Sequence, residues 1–277
     1  MSIEAAGSRT VQDDPGDTFM DTVRSADGTP IAFDTTGSGP PLVLVVGAFC
    51  DRQTTRAITK LLASDFTVYE YDRRGRGDSG DTPPYAVERE IEDLAAVAGA
   101  AGGKPNVFGH SSGAVLALEA AARGVAMTKL VAYEPPYIVD DSRPRPGVDL
   151  GDRLGALVSD GRRDDAAKLF LTEAVGVPAE VVEMIASGPD WPGMTAIAHT
   201  LRYDIVACDN NQLPAGRLAA IAVPTLVLGG ANSPEWFHHT VCAVAGAIPG
   251  AQLQFLEGAD HRAPDDVLAP VLAGFLA

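Results

Sequence analysis

The 277-residue chain predicts an α/β fold, a mostly parallel sheet with helices on both faces. Three observations carry that expectation. Short runs of β-branched and aliphatic residues alternate with amphipathic stretches of helix length. The inner runs are continuously apolar, as strands covered on both faces must be. The composition, 46% hydrophobic and 21% charged, supplies a sizeable core for one large α/β domain and excludes a disordered chain.

Taken in order, residues 1–19 form a polar arm with scattered Gly, Pro and Asp, expected to be flexible. Two short apolar runs then flank Asp27-Gly28, a hairpin signal. PLVLVVGAF (41–49) is the first buried strand, followed by strand patterns at 66–72, 105–110 and 129–134. Helical patterns at 55–63, 87–100 and 113–124 separate them, and this alternation implies parallel pairing. It stops at Glu134. Residues 135–222 carry several helical stretches and no strand pattern, too much chain for a loop and readable as a helical cap. Strand patterns resume at 223–230 and 251–258, and a helix closes the chain. The expected organisation is therefore an arm (1–19), a core (20–134 and 223–277) and a cap (135–222).

Charge bounds the partners. Thirty-seven Asp and Glu against 21 Lys and Arg leave a formal charge of −16, a field that repels phosphate backbones and anionic membranes. Neither nucleic acid nor a membrane is expected as a partner; a small-molecule substrate, partly apolar, is. Oligomeric state stays open. The three cysteines, Cys50, Cys208 and Cys242, are too few and too scattered for a disulfide framework or a zinc cluster and suit a reducing compartment. The first 19 residues hold no apolar signal core, and no run approaches the roughly 18 apolar residues of a membrane span. A soluble cytoplasmic protein is the expectation.

The strongest chemical signal is Gly109-His110-Ser111-Ser112-Gly113. It has the form Gly-x-Ser-x-Gly, with a strand pattern before it and a helix pattern after it. A serine on such a sharp turn stands above the carboxyl edge of the sheet, where ligands bind in open α/β sheets. The turn also aims the amide of Ser112, at the helix N-terminus, toward charge developing on Ser111. The plainer alternative is an N-cap serine between packing glycines.

With these residues the chain resembles the α/β-hydrolase superfamily over roughly residues 20–277. YDRRGRGDSG (71–80) is similar to the superfamily's Asp-x-Arg-Gly-x-Gly-x-Ser segment, and VVGAFCDR (45–52) stands where relatives carry a His-Gly oxyanion loop, with Val46 in place of the His. The resemblance implies an eight-stranded sheet with the cap inserted between strands 6 and 7. It also implies oxyanion amides from Ala48 and Ser112, with Phe49 or Cys50 facing the pocket. No metal or organic cofactor is implied. His261, in Gly258-x-x-His261 after the last strand, resembles the family's base. Of the other histidines, His110 belongs to the turn as a packing or pocket residue, and His199 sits on a helical face. His238 and His239 point to different sides of a helix and do not make a metal pair.

The acid departs from the commonest pattern. Most relatives carry it after the strand that follows the cap, but Asn232 or Ser233 stands there and neither is charged. Glu134, ending the strand before the cap, resembles the position used by other members; Asp260 is the rival. Ser111 as nucleophile, His261 as base and Glu134 as orienting acid give a serine hydrolase of esters, lactones or thioesters, in a pocket to which Trp191 also contributes. Lyases, carbon–carbon bond hydrolases and cofactor-free haloperoxidases use the same residue types. A non-catalytic ligand-binding member of the fold is the alternative from another class. Dehalogenases and epoxide hydrolases are disfavoured because their nucleophile is a carboxylate.

Overall fold

A computed structural model describes residues 19–277; the arm expected over 1–19 lies outside them except for Phe19, where the first strand opens. Eight strands form one sheet: β1 Phe19–Arg24, β2 Pro30–Thr36, β3 Pro41–Val45, β4 Thr67–Tyr71, β5 Asn106–His110, β6 Leu130–Tyr133, β7 Thr225–Gly230 and β8 Gln252–Leu256. Their order is β1-β2-β4-β3-β5-β6-β7-β8. The β1–β2 hairpin pairs antiparallel, as does β2 with β4, and every other neighbour is parallel.

Period-two alternation builds the two faces. In β3, Val43 and Val45 face one layer, packing with β5 and the helices α2 (Val87–Ala100) and α3 (Ser112–Ala122). Leu42 and Leu44 face the other, which is covered by α1 (Arg56–Leu62) and the C-terminal helix. The buried run expected over 41–49 therefore divides: five residues are strand, and Val46 onward forms a loop at the sheet's carboxyl edge.

Between β6 and β7 run α4 (Leu150–Ser159), α5 (Arg163–Leu169), α6 (Ala179–Ala186), α7 (Trp191–Ala196), α8 (Leu201–Ala207) and α9 (Ala215–Leu218). They bury a separate apolar cluster around Leu150, Leu154, Phe170, Trp191 and Leu201, against which Ala48 and Phe49 pack. The helical stretch expected over residues 194–207 is broken, because a 3₁₀ turn at Ala198–Thr200 redirects the chain into α8. Helices α10 (Glu235–Ala247) and α11 (Asp265–Leu276) flank β8 in the chain. Among the described residues no helix is long and apolar enough to cross a membrane.

Candidate active site

The strand order changes direction at β3 and β5, so the segments leaving their carboxyl ends diverge and open a crevice. Segments leaving four strands, β3, β5, β6 and β8, meet there. The loop after β3 carries Gly47, Ala48, Phe49 and Cys50; β5 ends at His110 and delivers Ser111; β6 delivers Glu134; the loop after β8 delivers His261.

Ser111 stands at φ 57°, ψ −124° between β5 and α3. Phe49 and Glu134 share the left-handed region at φ 59° and 46°. Strain of this kind costs roughly 1–3 kcal/mol per residue and persists only where the surroundings enforce it. Here they do: the Ser111 amide donates to the Tyr133 carbonyl (2.9 Å) and the Glu134 amide to that of Leu228 (3.1 Å). The elbow also needs its glycines. A Cβ on Gly113 would lie 2.2 Å from the Val45 carbonyl oxygen, and one on Gly47 would lie 2.9 Å from Ser111 Cβ.

The three side chains form one relay. Glu134 is fully buried; its Oε1 accepts the Gly230 amide at 2.7 Å and its Oε2 lies 2.8 Å from His261 Nδ1. A carboxylate can only accept, so Nδ1 carries the proton and Nε2 is left bare toward Ser111 Oγ, at 3.2 Å. Phe237 stacks on the His261 ring, with centroids 4.8 Å and planes 19° apart. This is the arrangement in which an imidazole can take a hydroxyl proton while a fixed charge stabilises the resulting imidazolium.

The rival acids are engaged elsewhere. Asp260 accepts the Arg262 amide at 2.8 Å within its own turn, and its carbonyl accepts from the Tyr133 hydroxyl. The Asn232 amide donates to Ala259, and neither the Asn232 nor the Ser233 side chain reaches His261 among the described residues.

The amide of Ser112 opens α3 and has no carbonyl one turn behind it within the helix. Neither it nor the Ala48 amide is taken up by a backbone carbonyl in the described residues. Of the expected pocket residues, Cys50 and His110 line a cavity of about 120 Å³ together with Ile58, Phe108, Tyr133 and His261. Phe49 instead meets Phe170 edge-on, with centroids 5.4 Å apart. Trp191 is packed among the helices, its indole N–H donating to Asp164 at 2.6 Å. Burial pushes the Cys50 thiol up, so it stays protonated and is a poor rival nucleophile. No cluster of His, Cys, Asp and Glu suited to a metal ion occurs among the described residues.

His110 is not a member of the relay; its Nε2–H donates to the His261 carbonyl at 2.9 Å. Burial first, then the neighbouring His261 and Arg262, hold its pKa down at about 3 from an ordinary 6.5. The unfolded chain takes up a proton here as pH falls through 6.5, whereas the folded chain refuses it until about pH 3. Stability from this group is therefore complete above pH 6.5 and drains below it, by up to about 1.4 kcal/mol per pH unit. Urea unfolding measured from pH 7 down to pH 4 is expected to show a shallower decline for His110→Gln. An unchanged slope would contradict the assignment.

Sequence reasoning missed two features of the site. One is the Trp236–Phe237 stack on His261, which had no signal beyond two adjacent aromatics. The other is the docking of Arg73 and Arg76 on Asp204, signalled only on one side by the arginine-rich segment 71–80.

Comparison with known proteins bears on the family and the fold. Residues 42–271 match the model of the Alpha/beta hydrolase family. The chain is similar to the crystal structure of an alpha/beta hydrolase from Sphaerobacter thermophilus, at 54% identity and TM-score 0.89, covering 93% of this chain and 100% of that one. It is also similar to a thermophilic esterase from Thermogutta terrifontis, at 26% identity and TM-score 0.67, over 93% and 98% of the two chains. It matches the N-formylmaleamate deformylase of Pseudomonas putida at 36% identity over 104 residues, 36% of this chain and 39% of that one. The chain spans about two fifths of the length of the curated relatives it matches.

Proposed function

The chain belongs to the alpha/beta hydrolase family, and from that membership we propose that it is a serine hydrolase cleaving a small ester, lactone or thioester through an acyl-enzyme. The observation that carries this reading is the relay from buried Glu134 through His261 to Ser111. Ser111 Oγ attacks the acyl carbon as His261 Nε2 takes its proton, and the carbonyl π electrons move onto oxygen. The amides of Ala48 and Ser112 receive that oxyanion, each worth about 3 kcal/mol in the transition state. Collapse breaks the bond to the leaving alkoxide or thiolate, which takes the proton from His261. Water then repeats the sequence on the acyl-enzyme, releasing the acid and restoring Ser111.

The relatives named as esterase and deformylase both act at an acyl carbon, and that shared step is what transfers here, not either substrate. The helices between β6 and β7 serve as the cap, and their apolar cluster, against which Ala48 and Phe49 of the loop after β3 pack, favours a partly apolar acyl or alcohol group.

Intact mass after treatment with a fluorophosphonate tests the reading. One adduct is expected on the wild type and none on Ser111→Ala, followed by turnover within a panel of esters and lactones. Folded wild type that takes no adduct and turns over no ester would sink the proposal in favour of a ligand-binding role.

A further inference from the structure

A second polar assembly borders the loop after β3 and Ser112, and nothing in the acyl chemistry above uses its side chains. The loop after β4 buries Arg73 and Arg76, each 1% exposed. Both guanidinium groups close on one carboxylate, Asp204 of α8. Arg73 Nη1 meets its Oδ1 at 2.7 Å, and Arg76 Nη2 meets its Oδ2 at 2.8 Å. The Ser112 hydroxyl donates to the same Oδ1, also at 2.7 Å. Glu90 takes the other edge of Arg73 in two bonds of 2.6 Å. Thr200, from the turn before α8, accepts from Arg76 Nε at 3.2 Å.

The free edge of this assembly holds the loop after β3. Arg76 Nη1 donates to the carbonyls of Gly47 (2.5 Å) and Cys50 (3.0 Å), and Arg73 Nη1 to that of Val46 (3.3 Å). The Gly47 carbonyl and the Ala48 N–H belong to one peptide group, which is planar and trans, so they point in opposite directions. A cation fixed on the carbonyl therefore fixes where the amide aims. It also draws electron density toward the carbonyl oxygen and makes the N–H a stronger donor. The second amide, that of Ser112, sits on a residue whose hydroxyl is tied to the same carboxylate.

We propose that Asp204 is the positioning residue of the oxyanion hole: it locks Arg76 against the Gly47 carbonyl and ties down Ser112, so that both amides converge above Ser111. This rests on the serine-hydrolase reading and deepens it. Burial works to raise the Asp204 carboxyl, but Arg76 and Arg73 overcome it and hold the group below its ordinary value, so the anchor is charged throughout the neutral range. Because Asp204 and Thr200 come from the helical segment while the arginines come from the core, the hole is complete only when that segment is docked.

The test uses the full chain, with kcat counted per serine titrated by the fluorophosphonate. Asp204→Asn keeps the shape and removes the charge. It is expected to lower kcat about 10- to 100-fold with KM within about twofold, less than the roughly 100- to 1,000-fold that losing one oxyanion donor costs, because both amides stay in place and lose only their aim. Affinity for an alkylboronic acid, which forms a tetrahedral adduct on Ser111, is expected to fall by the same factor as kcat/KM. A merely structural role would lower thermal stability and the titratable fraction but leave kcat per titrated site unchanged, and that result overturns the proposal. Should Asp204→Asn fail to fold, Ser112→Ala and Thr200→Val keep both ion pairs. A several-fold drop in kcat per site for them supports the assignment, and wild-type values overturn it. Wild type that labels and turns over beside unaffected variants defeats this inference alone; wild type that does neither defeats the hydrolase reading and this inference with it.

Discussion

Alanine at position 111 is expected to abolish turnover, with kcat falling by about 10⁵- to 10⁶-fold on any ester the wild type cleaves. The size follows from the geometry. His261 Nε2 has Ser111 Oγ as its hydrogen-bonding partner at 3.2 Å, so without that hydroxyl the imidazole has no nucleophile to activate except an unpositioned water. What survives is the contribution of the oxyanion amides and of binding. The fold is expected to survive intact, because the strained φ of 57° at this position is held by backbone bonds and by glycine contacts that alanine leaves in place. Steady-state rates alongside thermal melting check both halves. A folded variant retaining more than about a thousandth of the wild-type rate would mean that Ser111 is not the nucleophile.

Replacing Glu134 by glutamine carries the second-largest expected loss, about 10³- to 10⁴-fold in kcat. The substitution is isosteric, so the amide oxygen can still accept from Gly230, whose N–H lies 2.7 Å from Oε1 in the native protein. The side-chain NH₂ then faces His261 Nδ1, where the native carboxylate accepts at 2.8 Å. A donor there turns Nδ1 into an acceptor and moves the ring proton to Nε2, the nitrogen that must be bare to receive the serine proton. Asp260→Asn provides the contrast. That carboxylate is engaged by the Arg262 amide, and the variant is expected to stay within about threefold of wild type, in the range of a substitution outside the machinery. If the two variants exchanged behaviour, the acid would be Asp260.

Much of this was legible in the chain because it is encoded locally. Leu42, Val43, Leu44 and Val45 can be assigned to a doubly covered strand by their unbroken apolarity alone. Gly109, Ser111 and Gly113 announce a turn that only small residues permit, and Glu134 stands next to that turn by strand count. The limits are physical too. The strand expected over 41–49 stops at Val45, since apolar residues beyond it are buried by the helical segment rather than by the sheet, and apolarity does not say against what a residue packs. Trp191 was a pocket candidate because a tryptophan fills space wherever it lands; only the docking of the helices decided that it lands beside Asp164. Asp204 left no trace at all. Its partners Arg73 and Arg76 lie well over a hundred positions away, and an aspartate on a helix carries no local mark of a buried mate.

The placement of Glu134 governs how the relay endures. Ser111 and Glu134 leave neighbouring strands whose last residues, His110 and Tyr133, are paired in register, in the middle of the sheet. Their separation is set by a ladder of hydrogen bonds and can change only if the sheet's centre comes apart. His261 has no strand ladder beneath it: it follows β8, the outermost strand, whose first three residues are exposed, and the core reaches its loop through side chains, those of His110 and Tyr133. The relay thus joins two members with the lifetime of the core to one with the lifetime of an edge. Edge strands fray long before a sheet unravels, so heat would silence this site while most of the fold still stood, and cooling would restore it.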